Sequence, residues 1–512
     1  MRKGQSAIWL LCFGMLIHAW ADEGPKRTLL ANRTLVYNVV PKETDTLKAW
    51  LRGGVFYGRV RLNTFKFDWK EQSALTRDNW AVGLGASLTY KSAYWHGVGF
   101  TLDGYTSQNP WHMDKEDIKF LKAGKDTLSR YDVYNDGDYH MNVLAQAYLE
   151  LKALHSSIKL GRQKFESFLT KSNDTKMIPN TFEGVTLVSR YFHDTTLKLA
   201  WLNKQKLRDH TRFHDPLTFK SSDVYSDDPL KKATASWANN DDAGVHRGLR
   251  YDYLEKAGED TEHDLIVAQV WNRSLPNLKV MLNYTAVPEM FYDITAEAHY
   301  ILRMGSFKII PGIRYMAQFD DGGGKVGGAS LTGLLSPYAD TGNQLSGYRD
   351  PRSLDGWLTA LRIDLRSDAP WKARLGYSHI GDEADIIAPW RGFPTRGFTR
   401  AMGQYNWTAN TDTWMIRGDY DFGRAGLVKG LKAMFRLAWE DYDQGKYVVI
   451  DGVKRALQLS DRWALQLDAI YKVPAVSGLE ARVRMAFVDA DDNFDGYDPS
   501  YSEYRFEMNY LF

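Results

Sequence analysis

The chain has 512 residues, including 65 Lys and Arg, 63 Asp and Glu, 42 Gly, 29 Tyr and 17 Trp, and its formal net charge is +2. This balance lacks the strongly basic character of nucleic-acid-binding proteins, so we expect no nucleic-acid partner. Beyond the N-terminus no segment approaches about 18 consecutive apolar residues, and the mean hydropathy is −0.44, which excludes membrane-spanning helices.

The first residues have the organisation of a secretory signal peptide. Arg2 and Lys3 precede an apolar run over 7–17, and Ala19 and Ala21 form an A-x-A cleavage motif. The apolar run is too short to cross a bilayer. We therefore expect export and cleavage near Ala21.

The only cysteine of the chain, Cys12, lies within this signal peptide. The exported protein would therefore contain no disulfide, no thiolate metal ligand and no cysteine nucleophile. No Pro-rich, Ser-rich or like-charged linker divides the remaining sequence. We expect a signal peptide at 1–21, an N-terminal segment at 22–53 and one large sheet-based domain at 54–512.

Alternation of apolar and polar residues predicts a series of β-strands, each with one apolar face. The last strand shows the pattern clearly, because Tyr504, Phe506 and Met508 alternate with Arg505 and Glu507 up to the terminal Phe512. The predicted strands are 54–69, 79–91, 94–105, 139–152, 156–163, 183–191, 196–204, 265–273, 277–285, 291–303, 307–318, 356–367, 371–380, 413–422, 430–441, 462–472, 479–487 and 504–512. About eighteen strands are compatible with an all-β, antiparallel transmembrane barrel of the bacterial outer membrane.

The connections between these strands alternate in length, as short periplasmic turns and long external loops do. The long ones are 106–138, 164–182, 205–264, 319–355 and 381–412. The link after Tyr284 is short where an external loop is expected. A soluble β-sandwich would also alternate apolar and polar residues, but it has no reason to sort its loops in this way.

Residues 161–184, GRQKFESFLTKSNDTKMIPNTFEG, resemble the OprD family of outer-membrane porins through Asn173–Lys176, Pro179, Thr181, Phe182 and Gly184. Further similarity lies in YGRVRLN at 57–63, YDFGRAGLVKGL at 420–431 and the closing SEYRFEMNYLF. The resemblance implies an eighteen-stranded barrel whose third external loop, 164–182, folds inward to narrow the pore. It also implies a preference for solutes with a carboxylate, including basic amino acids, guided by lumenal arginines opposite an acidic pocket.

Arginines of lumenal parity are the candidate pore-lining residues, because a planar guanidinium holds a carboxylate with two hydrogen bonds. Alternatively, they fill the lumen in ion pairs with Asp364, Asp419, Glu440, Glu480 and Glu507. The candidates are Arg59, Arg61, Arg314, Arg362, Arg366, Arg374, Arg417, Arg436, Arg482, Arg484 and Arg505. The sequence departs from the family at 381–412, so the identity of the solute does not follow from the resemblance.

The candidate constriction residues lie in the loop at 164–182. Lys171 and Lys176 could contact an anion there, and Asp174 an ammonium group. Alternatively, the polar residues only turn the chain and Phe182 opens the next strand. The set is Lys171, Asn173, Asp174, Thr175, Lys176, Pro179, Thr181 and Phe182.

One late loop, DADDNFDGYD, matches the opening of a calcium-binding loop at Asp491, Asn493 and Asp495. The bidentate Glu is missing, since the twelfth position is Ser502. A solvated acidic loop that contacts lipopolysaccharide through divalent ions is the alternative. We expect no cofactor.

No zinc-protease HExxH motif and no GxSxG elbow occurs, so we expect a channel and not an enzyme. The alternatives are a non-selective general porin and a barrel-type hydrolase whose Ser, His and Asp come from distant strands. An energy-coupled receptor would need a plug domain, for which 22–53 is too short. The expected partners are small solutes, outer-membrane lipid, lipopolysaccharide and the barrel assembly machinery, and both a monomer and a homotrimer remain open.

Overall fold

The computed structural model describes residues 27–73, 76–121, 125–220, 244–339, 346–402, 405–450, 452–493 and 496–512. The predicted signal peptide and its cleavage position near Ala21 lie outside these residues. Asp495 of the predicted calcium loop also lies outside them.

Eighteen strands of the described chain form one closed antiparallel barrel. Strands that follow one another in sequence are neighbours in the sheet, and the last strand pairs with the first, from Tyr501 opposite Trp69 to Leu511 opposite Arg59. The strands are β1 Val55–Trp69, β2 Asn79–Lys91, β3 Val98–Gln108, β4 Met141–Ala153, β5 Ser156–Gln163, β6 Thr181–Ser189, β7 Thr195–Lys206, β8 Leu265–Asn272, β9 Leu278–Val287, β10 Phe291–Tyr300, β11 Phe307–Asp320, β12 Gly356–Ser367, β13 Trp371–Ile380, β14 Asp412–Asp421, β15 Leu431–Asp441, β16 Arg462–Lys472, β17 Leu479–Ala490 and β18 Tyr501–Leu511.

Each strand places alternate side chains on opposite sides of the barrel wall. The outward set is apolar and exposed, as at Leu375, Ile416 and Leu437, which adjoin across β13, β14 and β15. Closure pairs every strand edge, so a wall with this outer face satisfies its backbone groups within hydrocarbon. The predicted all-β barrel and its strand number are confirmed.

The two ends of the barrel differ in the length of their connections. At the loop end the connections are 70–78, 109–140, 164–180, 207–264, 288–290, 321–355, 381–411, 442–461 and 491–500. At the turn end they are 92–97, 154–155, 190–194, 273–277, 301–306, 368–370, 422–430 and 473–478. The predicted sorting is confirmed, and the connection after β9 is the short exception that the sequence indicated.

The third strand begins later than the predicted 94–105. His96 and Gly97 adopt positive φ angles of 48° and 80°, which turn the chain before β3 begins. Tyr94–Trp95 instead forms a short strand that pairs in parallel with Glu43–Thr44 of the N-terminal segment.

Short elements complete the described chain. The helices are Leu47–Arg52, Lys115–Phe120 (a 3-10 helix), Arg130–Asp136, Tyr251–Ala257 and Gly324–Gly327, and the remaining strands are Arg27–Leu29, Leu35–Tyr37, Leu302–Met304, Tyr447–Ile450 and Val453–Ala456. Within the described ranges, no helix has the length and apolar character that crossing a membrane requires.

Long loops pack against the inner face of the barrel and form an extensive apolar core there. Trp390, Phe398 and Trp407 come from the loop at 381–411, and they pack with wall residues such as Phe291 and Leu358. The loop end of the lumen is thus filled with protein, so loop residues control the passage through the barrel.

A charge placed on the outward face should destabilise the barrel in a bilayer. We expect Ile416→Arg, near the middle of β14, to lower the free energy of unfolding by about 2–4 kcal/mol, because the guanidinium replaces an apolar group in hydrocarbon. Urea titration in phospholipid vesicles measures the change. Ile416→Leu is the control and should leave the value nearly unchanged; equal stability of the two variants would show that this face does not contact lipid.

Candidate functional site

The loop at 164–180, called the constriction loop below, lies inside the barrel. Asp174 is fully buried, and Asn173 and Lys176 are 5% and 6% exposed. A segment this polar can be buried only if its groups find partners in the wall. The predicted inward fold of this loop is confirmed, and its partners explain why it stays inside.

Asp174 is the main attachment point of the constriction loop. Its Oδ1 accepts a hydrogen bond of 2.7 Å from Arg61 Nη2 and forms an ion pair with the Arg59 guanidinium, while Tyr105 donates its hydroxyl to Oδ2 at 2.8 Å. The ammonium group of Lys164 lies 3.8 Å from Oδ2. The carboxylate is therefore surrounded by donors and holds the loop to the inner wall.

The first strand supplies most of this attachment, because its alternate residues all point inward. Next to Arg59 and Arg61, Asn63 donates its amide to the carbonyl oxygen of Lys176 at 2.8 Å, and Arg61 also bonds to that oxygen. On the neighbouring strand β2, Gly85 leaves space for the constriction loop, because a Cβ atom at this position would collide with the end of the Met177 side chain. The YGRVRLN motif is thus a binding face for the constriction loop.

The loop at 381–411, called the second lumenal loop, meets the constriction loop inside the barrel. Thr170 and Arg391 form an antiparallel bridge. The amide of Gly392 donates to Leu169 O at 2.7 Å, and the Asn173 side chain donates to Arg391 O at 2.6 Å. The two loops therefore narrow the lumen as one unit.

A buried carboxylate ties this unit to a third loop. Asp126, from 109–140, lies 3.1 Å from Arg208 Nη2, 3.3 Å from Arg391 Nη2 and 3.4 Å from Lys176 Nζ. Burial alone would raise the pKa of the Asp126 carboxyl, but these three cations hold that pKa well below its usual value. Asp126 stays ionised at physiological pH and holds the three cations together.

A cavity of about 580 Å³ lies beside the joined loops, toward the turn end. Glu297 is the one acid among the described residues that line it, and that carboxylate already accepts a hydrogen bond of 2.8 Å from Arg314 Nε. Phe168, Trp271 and Phe393 contribute aromatic surface. The basic lining residues are Lys171, Lys198, Lys279, Arg314, Arg362, Arg366 and Arg396. This arrangement attracts anions and offers apolar surface to the rest of a solute.

The ammonium group of Lys171 titrates close to physiological pH. Burial, together with the positive charges of Arg396 and Lys198 and against the attraction of Glu166, lowers the pKa of Lys171 to about 8. The group is protonated at pH 7 and mostly neutral at pH 9. The positive charge of the cavity therefore falls as the pH rises through 8.

The predicted lumenal arginines all lie on the inner face, but their surroundings differ. Arg59 and Arg61 hold Asp174, and Arg314, Arg362 and Arg366 line the cavity. The other six lie along β13–β18, with these carboxylate or amide neighbours: Arg374 with Asp364, Arg417 with Asp419, Arg436 with Gln466, Arg482 and Arg484 with Asp468, and Arg505 with Glu503. Several arginines therefore have structural partners, and their contact with a solute stays a prediction.

Three of the arginines stand directly opposite one another across adjacent strands. Arg374 of β13 faces Arg417 of β14, which in turn faces Arg436 of β15. Like charges in this position are unfavourable for folding. Such a row favours a role in attracting anions over a role in stability.

The remaining predicted constriction residues have structural contacts. The carbonyl of Pro179 accepts a hydrogen bond of 2.9 Å from Lys206 Nζ, and Thr175 Oγ1 accepts one of 3.0 Å from Arg208. Thr181 and Phe182 lie in β6, which begins two residues earlier than predicted. The loop itself ends before these two residues.

Sequence reasoning missed three basic residues of the cavity, Lys198, Lys279 and Arg396. Lys198 and Lys279 have inward parity on β7 and β9, and counting lysines together with arginines would have found them. Arg396 comes from the second lumenal loop, where the sequence departs from the family. No pattern in that loop indicated which side chain would reach the lumen.

The predicted calcium loop connects β17 and β18. Asn493 Oδ1 accepts a hydrogen bond of 3.1 Å from the amide of Tyr497. The residues that the structure describes include no group of three or more His, Cys, Asp or Glu side chains placed to hold a metal ion. Because Asp495 is not among them, a calcium ion bound by Asp491, Asn493 and Asp495 stays a prediction.

Comparison with known families gives a match over 51–273, which covers β1–β8 and the constriction loop. This region matches the OprD family of outer membrane porins. The resemblance inferred from the 161–184 segment is confirmed. No curated protein sequence matches the chain.

Solved structures of Occ porins have a fold similar to that of this chain. OccK9 (OpdG) of Pseudomonas aeruginosa is 17% identical with a TM-score of 0.64 over 90% of this chain and 99% of that one. OccAB3 of Acinetobacter baumannii is 16% identical with a TM-score of 0.63 over 89% and 99%. OpdK of P. aeruginosa, solved with vanillate, is 15% identical with a TM-score of 0.60 over 90% and 99%. At these identities the similarity shows a shared barrel fold and nothing further.

Removal of the central carboxylate should release the constriction loop. We expect Asp174→Asn to lower the free energy of unfolding by about 3 kcal/mol, because Arg59 and Arg61 would remain buried without a counter-charge. Single-channel conductance should rise as the loop leaves the wall. Asp194→Asn, in an exposed turn at the opposite end, is the matched control, and a conductance equal to this control would contradict the anchoring role.

The Lys171 pKa predicts a pH-dependent uptake of anions. For a carboxylate whose own charge is constant, the flux into liposomes should fall by roughly two-fold between pH 7 and pH 9, because the cavity loses one positive charge. Lys171→Arg stays protonated and should remove this fall. A fall of equal size in both proteins would assign the pH dependence to another group.

Proposed function

We propose that the protein is a passive diffusion channel of the outer membrane that favours small solutes carrying a carboxylate. The cavity with seven basic side chains carries this proposal. Low-dielectric walls focus the field of these charges, which offsets part of the hydration that an anion loses on entering. The fold provides the barrel, and the two lumenal loops provide the narrow passage.

Some basic side chains of the cavity are paired with a carboxylate and others are not, which suits transport of an anion. Arg314 is held by Glu297, whereas the Lys279 ammonium lies 3.7 Å from the centroid of the Trp271 ring and the Arg396 guanidinium contacts the neutral Asn173 side chain at 3.2 Å. Among the described residues, no carboxylate forms an ion pair with Lys279 or Arg396, so both cations remain available to a passing anion. Conduction needs such moderate attraction, because an anion held too tightly would not leave.

Aromatic surface beside the cations favours solutes with an apolar or aromatic part. Phe168, Trp271 and Phe393 line the same cavity as the lysines and arginines. Vanillate, the compound present in the OpdK structure, is an aromatic carboxylate with both properties. Aromatic carboxylates are therefore the first solutes to test on this protein.

We also propose how the protein reaches the outer membrane and what it contacts there. The segment 1–21 would direct export and be removed, leaving 22–53 as the lead into the barrel. The barrel assembly machinery would insert the chain, phospholipid would cover the outward apolar band, and lipopolysaccharide would contact the loop end. A size measurement in detergent separates a monomer from a trimer.

A liposome-swelling series tests the preference. Aromatic and aliphatic carboxylates should enter faster than a neutral sugar of similar size and faster than an organic cation. Lys279→Gln combined with Arg396→Gln should slow carboxylates by roughly two-fold or more and leave the sugar unchanged, because two positive charges of the cavity are lost.

Lys66→Gln is the matched control, because Lys66 has outward parity on β1 and its side chain is 66% exposed. Equal entry of anions, sugars and cations would indicate a non-selective general porin. Absence of swelling with every solute would contradict the channel function itself.

A further inference from the structure

A short hairpin of the N-terminal segment enters the barrel from the turn end. Arg27–Leu29 pairs with Leu35–Tyr37, and the connecting turn places Arg33 at the tip with a φ of 66°. The Tyr37 ring stacks on Tyr57 of β1 with the centroids 5.4 Å apart. The hairpin is thus seated against the first strand.

The Arg33 side chain is buried between two carboxylates of the wall. It is 4% exposed, its Nε donates to Glu507 Oε1 at 2.9 Å, and its Nη1 is paired with Glu480. Both acids have inward parity on the last two strands, where Glu480 stands opposite Asn509. The Arg33 guanidinium of the N-terminal segment therefore forms ion pairs with two lumenal carboxylates.

Two further hydrogen bonds connect the hairpin tip to Arg59 and to the constriction loop. Arg59, which holds Asp174, also donates from Nη1 to the carbonyl oxygen of Arg33 at 2.7 Å. Asn32 donates its amide to Glu166 Oε1 of the constriction loop at 2.9 Å. The hairpin tip therefore contacts both the wall and the loop that narrows the pore.

Without Arg33 this part of the wall would lose the positive charge that Glu480 and Glu507 share. Among the described residues, Glu480 has its ion pair with Arg33 alone, and Glu507 has in addition only Arg482 at 4.0 Å. Glu480 would then face the lumen without its ion pair, and Glu507 would keep only the longer one with Arg482. Uncompensated acids in a narrow pore attract cations and repel anions.

We propose that the hairpin at 27–37 fills the lumen beside β1, β17 and β18, and that Arg33 keeps the channel selective for anions by neutralising Glu480 and Glu507. This inference rests on the proposed channel function. The basic cavity is lined from β7 to β12, across the barrel from the hairpin. The hairpin thus lies away from the basic cavity and leaves that side of the lumen to the solute.

Reversal potentials in planar bilayers under a salt gradient test the role of Arg33. Arg33→Gln should lower the anion-to-cation permeability ratio by roughly two-fold or more, because Glu480 and Glu507 lose the positive charge that they share. Adding Glu480→Gln and Glu507→Gln to that variant should restore the ratio. Lys48→Gln removes the same charge from an exposed position of the same segment and should change nothing.

Two further variants separate charge from folding. Arg33→Lys keeps the charge and should remain close to the parent protein, whereas a shift as large as that of Arg33→Gln would exclude neutralisation as the cause. Deletion of 27–37 removes the whole hairpin and should increase the single-channel conductance while it lowers anion selectivity. An unchanged conductance after deletion would overturn the claim that the hairpin fills the lumen.

The outcome for the parent protein keeps the two proposals apart. A parent protein that does not conduct contradicts the channel function. A conducting parent protein whose permeability ratio is the same with Arg33 and with Gln at that position contradicts only the role of the hairpin.

Discussion

The buried carboxylate of Asp174 is the interaction on which the interior of this barrel depends. A carboxylate without solvent is strongly unfavourable unless charge and hydrogen bonds compensate it, and Arg59, Arg61 and Tyr105 supply both. These contacts also determine where the two lumenal loops lie. It fixes the constriction loop against β1, and that loop in turn provides the edge on which the second lumenal loop pairs at Thr170. The attachment of Asp174 to the inner wall therefore fixes the position of both loops that narrow the passage.

The lumen has two sides with different roles. On the side of β1, β17 and β18, the hairpin and the constriction loop use arginines in buried ion pairs. On the opposite side, Lys279 and Arg396 line a cavity, and neither forms an ion pair with a carboxylate in the part of the chain that the structure describes. Between them, Gly397 O of the second lumenal loop accepts 2.6 Å hydrogen bonds from both Arg362 and Arg374. The neighbours of an inward-facing arginine thus determine its role: an arginine in a buried ion pair holds a loop in place, whereas one that lines the cavity is available to a solute.

The barrel could be predicted from the sequence because a strand in a membrane wall has only two environments. Parity along a strand such as β18 therefore determines which residues face lipid and which face the lumen. The separation of long loops from short turns could also be predicted, because consecutive connections in an antiparallel barrel alternate between its two ends. The boundary of β3 could not be predicted, since it depends on the positive φ angles of His96 and Gly97.

The partners of the lumenal charges were not predictable from the sequence. Arg33 is separated from Glu480 and Glu507 by 447 and 474 residues, and closure of the barrel brings them together. The second lumenal loop departs from the family pattern, so its contact with the constriction loop and the inward position of Arg396 had no sequence signal. Parity predicts the side of the wall, whereas pairing depends on how the loops fill the lumen.

The most direct test of the account is the reversal potential of the unmodified protein in a planar bilayer that separates concentrated from dilute potassium chloride. The account predicts discrete conductance steps and a reversal potential displaced toward the chloride equilibrium potential. A reversal potential displaced toward that of potassium, or a bilayer without conductance steps, would contradict it.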